Sequence, residues 1–275
     1  MIATPEIGTS VVAAGIVTNL HDTGVDPGGG TVLLIHGSGP GVSAWANWRL
    51  TIPFLAERFR VIAPDMVGFG YTERSVPTYD LATWTRHAVG VLDALEIDHA
   101  HVVGNSFGGS LALSLAIHHR ERVRRIGLMG AVGVPFDITP GLDAVWGYQP
   151  SVQAMADLLR LFTATPIEAI DELAELRYRA SVQPGFQESF AAMFPAPRQR
   201  WVDAMTHREE DIAALRNPTI IFHGREDQII PLSNSLRLFE LIPNAQMHLF
   251  GQCGHWTQIE HAEDFNRILA DFLTG

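Results

Sequence analysis

Short apolar runs rich in valine and isoleucine recur along the chain, separated by stretches in which apolar residues repeat with a helical period. Continuous apolar runs of this kind are typical of strands buried on both faces, as in a parallel sheet. They predict strands over residues 31–35, 60–63, 101–103, 125–129, 219–222 and 246–250. Predicted helices over residues 45–58, 81–95, 106–118 and 232–241 would connect parallel strands, and a helix with one apolar stripe closes the chain. The alternation indicates an α/β domain with a mostly parallel sheet.

The strand pattern disappears between about residue 135 and residue 216, where helix-like segments are separated by prolines. These segments are residues 152–162, 167–180, 188–193 and 201–205. We interpret the region as a helical cap inserted into the sheet domain, so that residues 1–134 and 212–275 form the core and residues 135–211 the cap. Such a cap would cover the carboxyl ends of the strands, where open α/β sheets bind their ligands.

Composition and charge remove several classes of function. The 275 residues carry a formal charge of −11, which would repel a phosphate backbone, so no nucleic-acid partner is expected. All 19 basic residues are arginine. Without lysine, the chain has no residue for a Schiff base, a pyridoxal phosphate anchor or a phosphate-binding loop.

The amino-terminal region and the single cysteine bear on location. No apolar run approaches the ~18 residues of a membrane helix, so no membrane partner is expected. The first arginine is Arg49, so the amino terminus lacks the basic region of a signal peptide. The apolar block at residues 11–17, which includes Gly15, is predicted to be an edge strand. Because Cys253 has no partner for an internal disulfide, these features together favour the cytoplasm.

The segment GNSFGG at residues 104–109 follows a predicted strand and precedes a helix of small residues. A turn this tight strains its central residue and projects it away from the sheet, which only small neighbours tolerate. The pattern predicts that Ser106 is a nucleophile. A glycine-rich turn with an incidental serine is the alternative.

A serine nucleophile requires a histidine base held by a carboxylate. Two loops at the carboxyl ends of predicted strands carry the segments GREDQIIP and GQCGHW. We predict Asp227 as the acid, because it lies nearer the loop apex, and His255 as the base. Glu226 is the alternative acid, and we expect it to be solvated or paired with Arg225. The order of serine, acid and histidine is that of α/β-hydrolases.

An oxyanion hole needs two backbone N–H donors. We predict those of Phe107, directly after the nucleophile, and of Ser38, in the segment HGSGPG, for which an ordinary flexible loop is the alternative. The other histidines fit helix ends and strand starts. With one cysteine and no HExxH motif, the sequence favours no metal and no cofactor.

Several motifs together resemble the meta-cleavage product hydrolases, which are carbon–carbon bond hydrolases of the α/β-hydrolase superfamily. They are HGSGPG, DMVGFG, GNSFGG, GREDQIIP, GQCGHW and the cap segment ELAELRYRASVQPGF. The pattern GxSxG is common to the superfamily, whereas the Ser-Gly-Pro-Gly loop followed by residues 45–48 is narrower. The resemblance covers nearly the whole chain. It implies an α/β-hydrolase fold, with a mostly parallel sheet flanked by helices and an inserted helical cap.

The family implies that water cleaves a 2-hydroxy-6-oxohexa-2,4-dienoate to 2-hydroxypenta-2,4-dienoate and a carboxylic acid. His255 would move the protons that turn the dienol into a ketone, and Ser106 would attack the C6 carbonyl or activate a water. By match to the family, Arg177 would bind the substrate carboxylate, for which a planar guanidinium is suited.

The resemblance also assigns the remaining substrate contacts. Polar contacts would come from Asn47, Asn105 and Trp256, with Gly37 and Gly39 letting the main chain approach the substrate. An apolar pocket for the C6 substituent would be formed by Phe107, Ala131, Trp146, Phe162 and Ile230. The chain looks most like members that act on ring-fission products of monocyclic aromatics, so hydrogen or a small alkyl group at C6 is favoured over phenyl.

Other interpretations of the same residues stay open. Read without the family, Arg177 is one of two surface arginines, with Arg179, on a cap helix, and Trp256 is plain packing. A serine carboxylesterase with the same triad is the nearest alternative function, and a non-catalytic ligand-binding receptor is the second. A buried cation in the cap would argue against the carboxylesterase, because a simple ester has no carboxylate for the cation to bind. The family also suggests a homodimer or a higher homo-oligomer.

Overall fold

The sheet is the central layer of the fold. The structure, a computed structural model, describes residues 5–74, 76, 78–166 and 170–275. Its strands are β1 Thr9–Ala13, β2 Ile16–Asp22, β3 Thr31–Ile35, β4 Arg60–Pro64, β5 Ala100–Asn105, β6 Val123–Met129, β7 Thr219–Gly224 and β8 Ala245–Phe250. They lie in the order β1-β2-β4-β3-β5-β6-β7-β8. The pairs β1–β2 and β2–β4 are antiparallel and the other pairs are parallel, which confirms the α/β fold class.

Both faces of the sheet are covered, which explains the continuous apolar runs in the sequence. Successive side chains of a strand point to opposite faces. In β5, Val102 packs in the same cluster as Leu111, and the next residue, Val103, packs in another cluster with Trp48 and Phe265. A strand in this position has no solvent face, so it cannot alternate between apolar and polar residues.

Helices pack against the two faces and also connect β6 to β7. Their bounds are α1 Ala44–Trp48, α2 Ile52–Leu55, α3 Leu81–Ala94, α4 Phe107–His118, α5 Pro140–Trp146, α6 Val152–Phe162, α7 Ile170–Ser181, α8 Phe186–Met193, α9 Gln199–Ala204, α10 Glu209–Ala213, α11 Leu232–Leu241, α12 Thr257–Glu260 and α13 Ala262–Thr274. Between β6 and β7 the described residues form helices and no strand. The division into a core and a cap at residues 135–211 stays a prediction. The predicted start of a helix at residue 167 lies outside the described residues.

Two predicted elements are wrong. The predicted helix over residues 45–58 is two helices, because Pro53 in the first turn of α2 has no N–H to continue a helix from α1. The block at residues 11–17 is a hairpin and not a single edge strand. Its turn is formed by Ala14 and Gly15, whose φ angles of 50° and 82° match the two-residue turns that suit the twist of paired strands. Within the described ranges, no helix is long and apolar enough to cross a membrane.

Candidate active site

Ser106 occupies the turn between β5 and α4, where its φ of 55° and ψ of −114° lie outside the regions that L-residues prefer. A Cβ on Gly104 would lie 2.1 Å from the carbonyl oxygen of Gly108, and a Cβ on Gly108 would lie 2.3 Å from that of Ile35. Only glycine fits at both positions. The strain of such a turn costs about 1–3 kcal/mol, and the Ser106 N–H, which donates to Met129 O at 2.8 Å, helps to hold it. The turn therefore presents Ser106 at the carboxyl end of the sheet.

Asp227 and His255 form a buried pair in the loops after β7 and β8. His255 Nδ1 lies 2.7 Å from Asp227 Oδ2, and Asp227 Oδ1 accepts the N–H groups of Ile229 at 2.7 Å and Ile230 at 3.0 Å. Burial by itself would raise the pKa of Asp227, but the contact with His255 outweighs it and holds this pKa below its usual range. An ionised Asp227 keeps the imidazole proton on Nδ1, which leaves Nε2 available as a base.

The alternative acid, Glu226, is used differently. Its carboxylate accepts from Arg225 Nε at 2.8 Å and from the N–H of Cys253 at 3.1 Å. The expected pairing of Glu226 with Arg225 is confirmed. Asp227, and not Glu226, contacts the histidine, so the geometry favours Asp227 as the acid.

Ser106 and His255 line the same cavity. Among the described residues, however, no hydrogen bond joins Ser106 Oγ to His255. Such bonds are often long in substrate-free enzymes and tighten only when substrate is bound. The structure thus brings the three predicted residues to one site with the acid–histidine half already closed.

The loop after β3 lies beside Ser106 and is fixed by a buried histidine. His36 Nε2 accepts the N–H of Met66 at 2.9 Å, so the proton is on Nδ1, which lies 2.6 Å from Gly37 O. Burial lowers the pKa of His36 to about 4, and the ring stays neutral. A Cβ on Gly37 would lie 2.9 Å from Asn105 Oδ1, so a larger residue here would displace the Asn105 side chain beside the turn. The N–H groups of Ser38 and Phe107 as oxyanion donors stay a prediction.

The cavity has a polar and an apolar part. Glycine and polar residues come mostly from the loops of the sheet domain: Gly37, Ser38, Gly39, Asn47, Asn105, Ser106 and His255, with Arg177 from α7. Apolar residues come from helices α5 and α6 and from loops. Those of the helices are Leu142, Val145, Met155, Leu159 and Phe162, and those of the loops are Pro40, Val42, Ile229 and Trp256. Sequence reasoning missed most of the apolar group. The spacing of three residues between 142 and 145, and of four between 155 and 159, places each pair on one face of a helix. This spacing was the signal in the sequence that could have identified them.

Arg177 is a buried cation that forms no ion pair with any of the described residues. The residue is 6% exposed, and in the described part of the chain its guanidinium makes no hydrogen bond or ion pair. Its Cζ lies 5.4 Å from the centroid of the Trp256 ring, a favourable cation–π contact. Burial lowers the pKa of Arg177 to about 10, against a smaller raising effect of Glu6, so the group is still charged at neutral pH. A desolvated charge of this kind is costly unless a ligand supplies the counter-ion.

Two amide side chains that line a small pocket with Arg177 each have one atom without a hydrogen-bond partner among the described residues. Asn47 Oδ1 lies 3.4 Å from the Gly37 nitrogen, and Gln258 Nε2 donates to Asn47 O at 3.3 Å. In the described residues, Asn47 Nδ2 and Gln258 Oε1 are buried without a partner. Buried polar atoms are normally paired, so these atoms mark a place for a polar ligand or water. Gln258 is a residue that sequence reasoning missed.

Some predicted pocket residues do not line the cavity. Trp146 is turned toward the loop after β3, where its Nε1 donates to Ser38 Oγ at 2.9 Å, and its ring stacks on Phe194 at 4.3 Å. Phe107 packs edge-on against Trp84, with ring centroids 4.7 Å apart. Ile230 and Ala131 are buried outside the cavity, which Ile229 lines instead. These side chains support the site, and their role as substrate contacts stays a prediction.

Side chains that could hold a metal ion do not cluster. Within residues 5–74, 76, 78–166 and 170–275, no group of three or more His, Cys, Asp or Glu side chains has a suitable arrangement. What the site offers is a strained serine, an acid–histidine pair and a buried cation around one cavity. This set suits acyl transfer to serine from a substrate that carries an anion.

Comparisons with known proteins give the same assignment. Residues 30–262 match the model of the α/β hydrolase fold family. The chain is 62% identical to a 2-hydroxymuconate semialdehyde hydrolase of Pseudomonas sp. strain CF600, over 98% of this chain and 94% of the relative. It is 57% identical to a 2-hydroxy-6-oxo-2,4-heptadienoate hydrolase of Pseudomonas putida F1, over 98% of this chain and 97% of the relative.

A solved structure extends the similarity to three dimensions. A variant of the meta-cleavage product hydrolase of Pseudomonas fluorescens IP01, complexed with acetates, is 59% identical to this chain and superposes with a TM-score of 0.95. The match covers 98% of each chain. Sequence, fold and site geometry therefore agree. The chain belongs to the α/β-hydrolase fold family and, within it, to the meta-cleavage product hydrolases.

Proposed function

We propose that this enzyme cleaves the carbon–carbon bond beside the C6 carbonyl of a 2-hydroxy-6-oxohexa-2,4-dienoate, giving 2-hydroxypenta-2,4-dienoate and a carboxylic acid. The observation that carries the proposal is the unpaired, buried Arg177, which shares the cavity with Ser106 and His255. Its guanidinium supplies a planar pair of donors for the dienoate carboxylate. A serine carboxylesterase that acts on simple esters would have no use for this charge.

The chemistry proceeds in two stages at the acid–histidine pair. His255 first takes the proton from the 2-hydroxyl group and returns it to C5, so that the dienol becomes a ketone. This shift creates the electron sink that the bond cleavage needs. Asp227 stabilises the imidazolium while it holds the proton.

In the second stage Ser106 Oγ attacks the C6 carbonyl, and His255 accepts the serine proton. N–H groups at the turn and in the loop after β3 stabilise the oxyanion. Collapse of the tetrahedral intermediate breaks the bond between C5 and C6, and the electron pair is delocalised through the C4–C3 double bond onto the C2 oxygen. This oxygen takes the proton from His255, which gives 2-hydroxypenta-2,4-dienoate. Water then hydrolyses the acyl group from Ser106 and releases the carboxylic acid.

The substituent at C6 is small in the proposed substrate. The relatives named above are hydrolases of a semialdehyde, with hydrogen at C6, and of a heptadienoate, with methyl at C6. Bulky side chains from α5 and α6, including Leu142, Val145 and Leu159, line the apolar part of the cavity. The hydrogen or methyl group at C6 would contact these side chains.

A substrate panel tests the proposal. Purified enzyme should rapidly bleach the yellow 6-hydrogen and 6-methyl dienoates, with kcat/KM on the order of tenfold or more above that for the 6-phenyl analogue, because excess bulk in a packed pocket costs about 1–3 kcal/mol. Hydrolysis of p-nitrophenyl acetate should be slow by comparison. Brisk ester cleavage beside a stable yellow dienoate would make the protein a carboxylesterase. A faster rate with the phenyl compound would overturn only the assignment of the substituent.

The enzyme is also proposed to form a homodimer or a higher homo-oligomer. The paired residues Val12 and Val17 of the β1–β2 hairpin expose 64% and 51% of their surface, and exposed apolar patches support association. Size-exclusion chromatography with light scattering is expected to give a multiple of the 30.2 kDa chain mass. A monomer alone would contradict this.

A cytoplasmic location is proposed from the single cysteine, Cys253, which has no partner in the chain for a disulfide.

A further inference from the structure

The loop that carries the catalytic histidine is bonded directly to the end of a cap helix. We call residues 251–256 the histidine loop. The N–H groups of His255 and Trp256 both donate to Phe162 O, at 2.7 Å and 3.2 Å, and Phe162 is the last residue of α6. A Cβ on Gly254 would lie 2.6 Å from the same oxygen. The rings of Phe162 and Trp256 stack at 4.6 Å with an interplanar angle of 7°. Cap and histidine are thus in contact at the backbone.

One carboxylate ties the two segments together a second time. Glu260 Oε2 accepts the N–H of Gly254 at 2.6 Å. Its other oxygen, Oε1, accepts the N–H groups of Ala164 at 2.8 Å and Thr165 at 3.0 Å, and the hydroxyl of Thr165 at 3.1 Å. Each oxygen therefore serves a different segment. One holds the histidine loop, and the other holds the residues that follow α6.

The opposite side of the histidine loop is held by the loop that carries the acid. The N–H of Cys253 donates to Glu226 Oε2 at 3.1 Å, and the N–H of Glu226 donates to Cys253 O at 3.0 Å. His255 directly follows Cys253, which is bonded to Glu226, and Gly254, which is bonded to Glu260. Its side chain is bonded to Asp227, and its ring centroid lies 5.8 Å from that of Phe162. Its position at Ser106 consequently depends on how firmly the loop is held on both sides.

We propose that Glu260 is a positioning residue for His255, which couples the catalytic histidine to the cap through the end of α6. The role rests on the proposed function, in which His255 transfers the protons. A carboxylate suits it, because both of its oxygens only accept and the site presents four donors. Loss of the carboxylate removes the acceptor of the Gly254 N–H and the link to the exposed residues Ala164 and Thr165, so the bonds to Phe162 O must hold the cap side of the histidine loop without it. A misplacement of about 1 Å at a catalytic group costs on the order of 10²-fold in rate.

Two variants test the role. Glu260→Gln keeps the size of the side chain but has only one accepting oxygen, so one of the two segments loses its partner. Glu260→Ala loses both attachments. We expect kcat to fall by about 10-fold for the first and up to about 100-fold for the second, while KM, which depends on Arg177 and the cavity, changes by less than about threefold. The matched control is Glu263→Gln, an exposed carboxylate in the first turn of α13, which should keep wild-type kinetics.

A second readout separates positioning from mere stability. The proton on His255 Nδ1, shared with Asp227, should give a far-downfield proton NMR signal in the wild type that is absent in His255→Ala. In the folded Glu260→Gln variant this signal should shift or broaden, and it should stay unchanged in Glu263→Gln. A variant that melts earlier but keeps both the wild-type kcat and the signal would overturn the proposal. If Glu260→Ala fails to fold, the near-isosteric Glu260→Gln carries the test.

The positioning role of Glu260 and the proposed function can fail separately in these experiments. Hydrolysis of p-nitrophenyl acetate and the NMR signal both report on His255 without any dienoate. If the wild type leaves the dienoates intact but the Glu260 variants lose ester hydrolysis and the signal, the substrate assignment fails and the positioning role holds. If the wild type cleaves dienoates and the variants do so equally well, the positioning role fails alone.

Discussion

Replacing Ser106 by alanine is expected to lower kcat for dienoate cleavage by about 10⁴- to 10⁶-fold, because removal of a nucleophile abolishes the covalent path. Binding should persist, since the carboxylate is held by Arg177 and not by the serine. The variant should therefore bind the dienoate with a dissociation constant close to that of the wild type. Stopped-flow spectroscopy of the yellow chromophore would measure both quantities, and it would show whether ketonisation by His255 still occurs when cleavage is blocked.

The control for this variant is a serine of α4, the helix that follows the turn. Ser114→Ala removes a buried hydroxyl that accepts from Thr85 Oγ1 at 2.9 Å and does not line the cavity. It should cost some stability and leave kcat intact. If Ser106→Ala kept more than about a tenth of the wild-type rate, the serine would not be the nucleophile. Direct attack by water, activated at His255, would then be the mechanism to examine.

Replacing Arg177 by methionine should weaken catalysis on carboxylate-bearing substrates by about 10²- to 10³-fold in kcat/KM. Truncation of one partner of a buried, hydrogen-bonded charge pair costs about 2–5 kcal/mol, and the expected loss lies in the middle of that interval. Hydrolysis of p-nitrophenyl acetate should change little, because that ester has no carboxylate. Equal losses on both substrates would remove Arg177 from the carboxylate site.

The same variant should be more stable than the wild type when no substrate is present. Among the described residues Arg177 forms no hydrogen bond or ion pair with a carboxylate, and Glu6 acts on it only at longer range, so methionine removes a desolvated charge and fills similar volume. Thermal unfolding should show a higher Tm for Arg177→Met. The matched control is Arg179→Met, two residues along α7, where the guanidinium is exposed and paired with Glu175. There, neither kinetics nor Tm should change appreciably.

Much of the sheet could be predicted because each buried strand leaves the same local pattern. Val102 and Val103 pack on opposite faces, so both must be apolar, and the run is visible without any knowledge of the fold. The turn at Ser106 was predictable for a similar reason. Gly104 is required by its contact with Gly108, four residues along the chain, which the local sequence records, whereas the contact that requires Gly108 is with the remote Ile35.

The cavity was harder to predict because it depends on contacts between distant segments. Trp146 was expected to line the pocket, but its indole donates to Ser38, more than a hundred residues earlier in the chain. Ile229 and Ile230 are adjacent and equally apolar, yet the backbone of the acid loop turns only Ile229 into the cavity. The pairing of Glu260 with Ala164 is equally remote. The local sequence does not predict these long-range contacts, because they depend on how the helices, strands and loops pack together.

The origin of the residues around the cavity has a consequence for evolution and engineering. The reactive groups belong to loops of the sheet, whereas much of the apolar surface of the cavity belongs to helices α5 and α6. The end of helix α6 is fixed in position, because Phe162 O accepts from the histidine loop and the Phe162 ring stacks on Trp256. Helix α5 carries no such bond at Leu142 or Val145. These two positions can diversify to admit new aromatic degradation products while the reaction itself is inherited unchanged.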